Sequence, residues 1–125
     1  MKVIEIAFSC YPVTDLKRAK QFYENTLGLK QTTIWGDDNQ AWIEYDIGPS
    51  TLAITNYPSE WKPSPDGGGV ALEVDNFDSA IAELKKARAK FRVEPTESPV
   101  CHMAVVFDPD GNSVCIHKRK PKSVG

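Results

Sequence analysis

The stretch DPDGNSVCIH (Asp108–His117) decides the fold, because DIGPSTLAIT (Asp46–Thr55) repeats its pattern 62 residues earlier. Each stretch opens with turn-forming residues and continues into a β-rich run, and the alignment matches Ile54 to Ile116. A shift of 61 residues aligns the segments upstream of the two stretches as well. The repeat predicts that the chain is built from two copies of one structural unit.

Each copy begins with a strand followed by a helix. In the first copy, the run Val3–Tyr11 is rich in β-forming residues and ends at Pro12, which is tolerated at a strand terminus. Thr14 or Asp15 can cap the helix that follows, whose apolar residues recur at three- and four-residue spacing. Gly28 provides a left-handed stop for this helix.

The second copy follows Asn56–Gly69, a segment with three prolines and three glycines, and Asn76 can cap its helix. The remaining β-rich runs predict strands at Gln31–Trp35, Ala41–Asp46 and Thr51–Thr55 in the first copy, and at Val70–Val74, Lys90–Val93, Val100–Phe107 and Asn112–Lys118 in the second. Each copy therefore has the element order βαβββ, and the predicted fold class is α+β with two tandem modules.

The length of 125 residues predicts a single domain. We place module 1 at about residues 1–56, a linker at about 57–69, module 2 at about 70–119 and a basic, solvated tail at 120–125. The net charge of −2 does not favour nucleic-acid or membrane partners, and no apolar run is long enough to span a bilayer. Three widely spaced cysteines without a C-x-x-C motif are typical of free thiols, so we expect a cytoplasmic protein.

Three segments carry a resemblance to a known family: PVTDLKRAKQFYENTLGL, VALEVDNFDSAIAELKKA and FDPDGNSVCI. In their order and spacing the chain resembles the vicinal oxygen chelate superfamily, which includes glyoxalases, bleomycin-resistance proteins and extradiol dioxygenases. The resemblance covers nearly the whole chain. It implies paired βαβββ modules that form a curved, partly closed mixed sheet around a cavity, in a homodimer. A sheet face left half-covered by each module also favours a homodimer.

Enzymes of that family hold one divalent metal with four side chains, His or Gln and Glu, one from each of four strands. The resemblance places the corresponding positions of this chain at Phe8, Ala53, Gly69 and Cys115. Three of these residues have no side-chain donor for a metal, and the fourth is a thiol. We therefore expect no metal at this site and no cofactor, because the Lewis-acid mechanism of the family lacks its ligands.

Two other arrangements stay open. Strand alternation puts Phe8 and Cys10 on one face of the first strand, and Cys115 and His117 on one face of the last. The two thiols and the imidazole could form a soft metal site if a fourth ligand such as His102 or Glu73 approached. Alternatively, His117 could activate Cys115 as a nucleophile. Free cysteines are more often small buried residues.

The sequence favours a metal-independent protein that sequesters a small, partly aromatic ligand. We expect the ligand to contact Phe8, Cys10, Ala53, Gly69, Cys115 and His117, with Phe8 as an aromatic face. The alternative is a lyase or dioxygenase-type enzyme of the same superfamily with relocated metal ligands or a Cys115-based mechanism. Trp35 and Trp42, on strands flanking one turn, are expected to pack in the core.

Overall fold

A computed structural model describes residues 2, 4–57 and 61–121 of the chain. The chain divides into two compact units after Pro63, inside the Pro- and Gly-rich segment. Each unit contains one four-stranded sheet. Residues 58–60 of the expected linker and 122–125 of the expected tail lie outside the described residues.

The first unit has the element order predicted for the first module. Its elements are β1 (Ser9–Pro12), α1 (Leu16–Lys20), a π-helical continuation (Gln21–Thr26), β2 (Thr33–Gly36), β3 (Ala41–Ile47) and β4 (Ser50–Thr55). The strand order is β1-β4-β3-β2, with β1 parallel to β4 and the other pairs antiparallel.

The first helix begins and ends where the sequence indicated, but its second half is wider than an α-helix. The Asp15 carboxylate accepts a hydrogen bond from the Arg18 amide at 3.0 Å and so caps α1. After Lys20 the chain continues as a π-helix, in which Leu27 N–H donates to Phe22 O at 2.9 Å. Gly28 then takes a φ of +74°, the left-handed conformation that glycine adopts without strain.

One face of the first sheet is packed against this helix. Ala41, Ile43 and Tyr45 alternate along β3 and are buried. The Tyr45 ring stacks on Tyr23 of the helix at 6.3 Å, and its hydroxyl donates to Glu24 at 2.9 Å. Even-numbered residues of β3 therefore lie on the opposite face, away from the helix.

The first strand is shorter than predicted. It begins at Ser9, while Ile4 and Ile6 are 82% and 84% exposed, and Val3 lies outside the described residues. The register explains the difference: Ser9 pairs with Leu52, and β4 begins at Ser50. Residues before Ala7 therefore extend beyond the end of the strand that would pair with them.

The second unit repeats the first. Its elements are β5 (Val70–Glu73), α2 (Phe77–Lys86), β6 (Phe91–Glu97), β7 (Cys101–Phe107) and β8 (Ser113–Arg119). The strand order β5-β8-β7-β6 corresponds to β1-β4-β3-β2, and β5 runs parallel to β8 as β1 does to β4. Asn76 caps α2 through the Ser79 amide at 2.9 Å, as its sequence predicted.

Two details of the second unit differ from expectation. Strand β6 continues to Glu97 rather than ending at Val93, with two register irregularities around Val93 and Thr96. Such an irregular course suits an edge strand that contains Pro95, which cannot donate to a ladder. Ala87, whose spacing from Ala80 and Leu84 predicts a place on the inner face of α2, is exposed because the helix ends at Lys86.

A hydrogen-bonded turn joins β7 to β8. One oxygen of Asp108 accepts from the Asp110 and Asn112 amides, each at 2.9 Å, and the other accepts from the Asn112 side chain at 2.8 Å. Asn112 in turn accepts from the Ser64 amide at 3.2 Å. Asp108 and Asn112 are buried, so the DPDGN sequence is a structural turn in which the side chains of these two residues satisfy one another.

The predicted fold class is confirmed: the chain is α+β, with two tandem βαβββ modules and one mixed sheet in each. Neither helix among the described residues is long and apolar enough to cross a membrane.

Candidate functional site

In the first unit, Cys10, Ala53 and Glu44 form one row across the sheet. The strand register pairs Cys10 with Ala53 and Ala53 with Glu44. Because side chains of paired residues lie on the same side of a sheet, all three lie on the face away from the helix. Cys10 is half-buried and Ala53 fully buried. Two of the expected ligand-binding residues are thus brought together by backbone pairing.

An aromatic pair lies beside this row. The Phe8 ring meets the Trp42 ring edge-on, with 5.2 Å between centroids and an interplanar angle of 87°. Trp42 is hydrogen-bonded to Glu44 of this row: its Nε1 donates to Glu44 Oε2 at 2.8 Å. Phe8 is 48% exposed, so part of its ring is free to contact a ligand. The face therefore combines an aromatic wall with a carboxylate and a thiol.

The Cys10 thiol is not activated. Burial, with the neighbouring Glu44 carboxylate as a second cause, raises its pKa from 9.0 to about 12. The thiolate is the nucleophilic and metal-binding form of cysteine, so a raised pKa opposes both functions. Cys10 behaves as a small, weakly polar residue of the sheet face.

In the second unit, Gly69 lies just before β5, and Cys115 lies within β8. Gly69 is exposed and directly precedes β5, and Cys115 lies in β8 between Ala71 of β5 and Val105 of β7. Buried Ile116 alternates with Cys115, so the thiol lies on the face away from α2. Burial, followed by the influence of Cys101, raises the pKa of the Cys115 thiol.

His117 is engaged by a carboxylate and not by Cys115. Its Nδ1 lies 2.6 Å from Oε1 of Glu73, the residue paired with it in the β5–β8 register. The Cys115 thiol instead makes a weak 3.8 Å contact with its neighbour's carbonyl, Ile116 O. A thiol–imidazole nucleophile needs these two groups hydrogen-bonded to each other, whereas the imidazole is bonded to Glu73 and the thiol contacts a backbone carbonyl.

The other histidine lies on the opposite face of the same sheet. The His102 ring stacks on Phe77 of α2, with 5.5 Å between centroids. Its Nδ1 lies 3.8 Å from Glu97 Oε2. The sequence offers His102 as a possible fourth metal ligand, whereas its ring packs against the helix.

The family's metal site does not fit the residues present. Phe8, Ala53 and Gly69 have no donor atoms in their side chains, and Cys115 offers a thiol that burial keeps protonated. A hard divalent cation requires several oxygen or nitrogen ligands. Within neither unit do three His, Cys, Asp or Glu side chains of the described residues cluster to replace them.

Two features of the first unit had not been predicted. Trp35, expected in the core, is 66% exposed because β2 is an edge strand. A cavity of about 520 Å³ lies between the helix and the β2–β3 hairpin, with apolar Leu16 and Ile43 and charged Lys20 and Asp37 among its lining residues. It lies on the helix side of the sheet, opposite Cys10. Its lining comes from separate elements, so no local pattern could have indicated it.

Comparisons with known proteins agree with this fold. Similar crystal structures include TnmS3, an antibiotic-binding protein from Streptomyces sp. CB03234, at 22% identity and a TM-score of 0.79, covering 96% of this chain and 99% of that one. They also include a lactoylglutathione lyase from Agrobacterium tumefaciens, at 16% identity and a TM-score of 0.73, covering 94% and 95%. A binding protein and a lyase share the architecture, so the fold alone does not choose between them.

Comparison with curated proteins gave no match. The family model of the Glyoxalase/Bleomycin resistance protein/Dioxygenase superfamily matches residues 5–116, which include both βαβββ modules up to Ile116 of β8. The chain belongs to the Glyoxalase/Bleomycin resistance protein/Dioxygenase superfamily.

Proposed function

We propose that this protein binds and sequesters a small, partly aromatic molecule without using a metal ion. The observation that carries the proposal is the chemistry of the four family ligand positions, where Phe8, Ala53, Gly69 and Cys115 stand. Phe8, Ala53 and Gly69 provide no metal donor and leave apolar contact surface, so the family's Lewis acid loses most of its ligands.

The environment of Phe8 supports an aromatic ligand. Its ring is fixed edge-on against Trp42, and Trp42 is fixed by Glu44, so a ligand meets a surface that is ordered before binding. The proposed contacts in the first unit are Phe8, Cys10 and Ala53. The proposed contacts in the second are Gly69, Cys115 and His117. The antibiotic-binding activity stated for TnmS3 is consistent with this function.

Catalysis through Cys115 is less well supported than binding. Its thiol pKa is raised by burial, whereas a nucleophilic cysteine needs a lowered one. The candidate base, His117, is held by Glu73. The lactoylglutathione lyase shares the fold at 16% identity, which does not carry its activity to this chain.

We also propose that the chain acts as a homodimer. Large apolar side chains are left in solvent, including Ile4, Ile6 and Val100, which are 82%, 84% and 70% exposed. Burial of apolar surface against a second copy contributes about 25 cal/mol per Å². Light scattering should report a mass twice the 13.9 kDa of one chain, and a monomer at micromolar concentration would contradict this proposal.

Calorimetric titration of the metal-stripped protein with an aromatic probe tests the function. We choose 2-naphthol, a flat two-ring compound with one hydroxyl. Binding that is the same with and without EDTA is the expected result, because no metal contributes. Binding that disappears in EDTA, or no binding of this or related aromatic probes, would contradict the proposal.

A further inference from the structure

His117 and Glu73 form a fixed pair on the face of the second sheet that lies away from α2. His117 Nδ1 lies 2.6 Å from Glu73 Oε1, and Glu73 Oε2 accepts the backbone N–H of Arg119 at 2.8 Å. Both carboxylate oxygens are therefore engaged by neighbouring residues. The geometry fixes the position of the carboxylate and, through it, the plane of the imidazole.

The carboxylate also sets which imidazole nitrogen carries the proton. The backbone N–H of Arg119, and then His117, lower the pKa of Glu73, so at neutral pH this group is an anion that only accepts hydrogen bonds. The Nδ1 atom that faces it must then be the N–H donor. In a neutral imidazole the other nitrogen, Nε2, is left as an acceptor.

The acceptor at Nε2 has no hydrogen-bond partner among the described residues. The His117 side chain is 24% exposed, and its strand neighbours on this face, Cys115 and Met103, are weakly polar. A molecule that covers His117 would remove Nε2 from water. This desolvation is unfavourable unless the molecule supplies a hydrogen-bond donor to the same atom.

We propose that His117, oriented by Glu73, selects ligands that carry a hydroxyl donor on their aromatic body. This inference rests on the proposed binding function and names the chemical class of its ligand, a phenol-type molecule. His117 makes the contact, and Glu73 is a positioning residue that keeps Nε2 free of a proton.

A matched pair of probes tests the inference. 2-Naphthol and 2-methoxynaphthalene share a ring system, but only the first has an O–H. In a mildly alkaline buffer, in which 2-naphthol keeps its proton, calorimetry should show 2-naphthol binding about fivefold more tightly than the ether, the value of one net hydrogen bond. His117→Leu should abolish this preference while the ether still binds.

Two further variants distinguish the orientation of His117 by Glu73 from a general loss of folded structure. Glu73→Gln should reduce the preference, because an amide can donate to Nδ1 and so convert Nε2 into the N–H donor. His102→Leu is the matched control, since His102 lies on the other face of the same sheet against Phe77. It should leave the preference unchanged. Thermal unfolding of each variant establishes that it is folded.

The outcomes distinguish the two proposals. Equal affinities of the two probes for the wild-type protein would overturn the selection by His117 and leave the binding function standing, and this comparison requires no variant. A preference that survives in folded His117→Leu would also overturn it. If neither probe binds, the proposed function fails, and the inference fails with it.

Discussion

Trp42 Nε1 donates a 2.8 Å hydrogen bond to Oε2 of Glu44, two residues further along the same face of β3. The bond satisfies the indole N–H in a half-buried setting and holds the ring where Phe8 meets it edge-on. It also directs the carboxylate along the strand, beside the row of Cys10 and Ala53. One local contact thus orders both the aromatic and the charged part of the sheet face.

Phe8→Ala should weaken binding of 2-naphthol by about 1 kcal/mol, through loss of ring contact and burial. Calorimetric titration of the wild-type protein and the variant measures the difference. Val100→Ala is the control, because Val100 is 70% exposed in the second unit and outside the proposed contacts. An unchanged affinity in Phe8→Ala would remove Phe8 from the ligand site.

Cys10 should react slowly with iodoacetamide in the folded protein. Its pKa of about 12 leaves little thiolate at pH 8, so we expect alkylation at least about tenfold slower than in the denatured chain. The rate should rise as the pH is raised, since the reactive species is the thiolate. Mass spectrometry of peptides containing Cys10 provides the measurement.

Glu44→Gln should raise the Cys10 alkylation rate slightly, because it removes the negative charge that disfavours the thiolate and keeps an acceptor for Trp42. The effect should be small, since burial is the larger cause of the raised pKa. Glu24→Gln is the control, as Glu24 binds Tyr45 on the helix side. Equal alkylation rates of Cys10 in the folded and the denatured wild-type protein would contradict a raised pKa of this thiol.

The purified protein should not retain stoichiometric Zn²⁺, Ni²⁺ or Fe²⁺ after exposure to each ion and gel filtration. Phe8, Ala53 and Gly69 provide no donor, and Cys115 is a protonated thiol. Elemental analysis by mass spectrometry is the measurement. One bound metal per chain that is lost in Cys115→Ser would show that a thiol site has replaced the family's own.

Asn112→Ala should lower the free energy of unfolding by about 2 kcal/mol, because it removes the side-chain donor to Oδ2 of buried Asp108 and the acceptor of the Ser64 amide. Urea denaturation measures the change. The repeat supplies the control: Asp46, the counterpart of Asp108, is exposed, and its carboxylate accepts from the Thr51 hydroxyl at 2.8 Å. Asp46→Ala should therefore cost within about 0.5 kcal/mol. Similar losses of unfolding free energy in Asn112→Ala and Asp46→Ala would contradict the stabilising role of the buried hydrogen bonds between Asp108 and Asn112.

The sequence was informative wherever a structural feature depends on neighbouring residues. Asp15 and Asn76 cap their helices and Gly28 ends the first, because each acts on amides or dihedral angles within a few residues. It was less informative at the edges of the sheets. There, the start of β1 depends on where β4 begins, and Trp35 is exposed because no strand lies beyond β2 among the described residues of that sheet.

For the candidate site, the sequence by itself determined which residues are present and which share a strand face. Alternation places Cys115 with His117, and the family resemblance predicts that the usual metal ligands are missing. Only the tertiary structure decided which side chains meet. Glu73 lies 44 residues before His117, and their 2.6 Å contact exists because β5 pairs in parallel with β8 in one register. A shift of one residue in that register would move Glu73 away from the imidazole, since side-chain direction alternates along a strand.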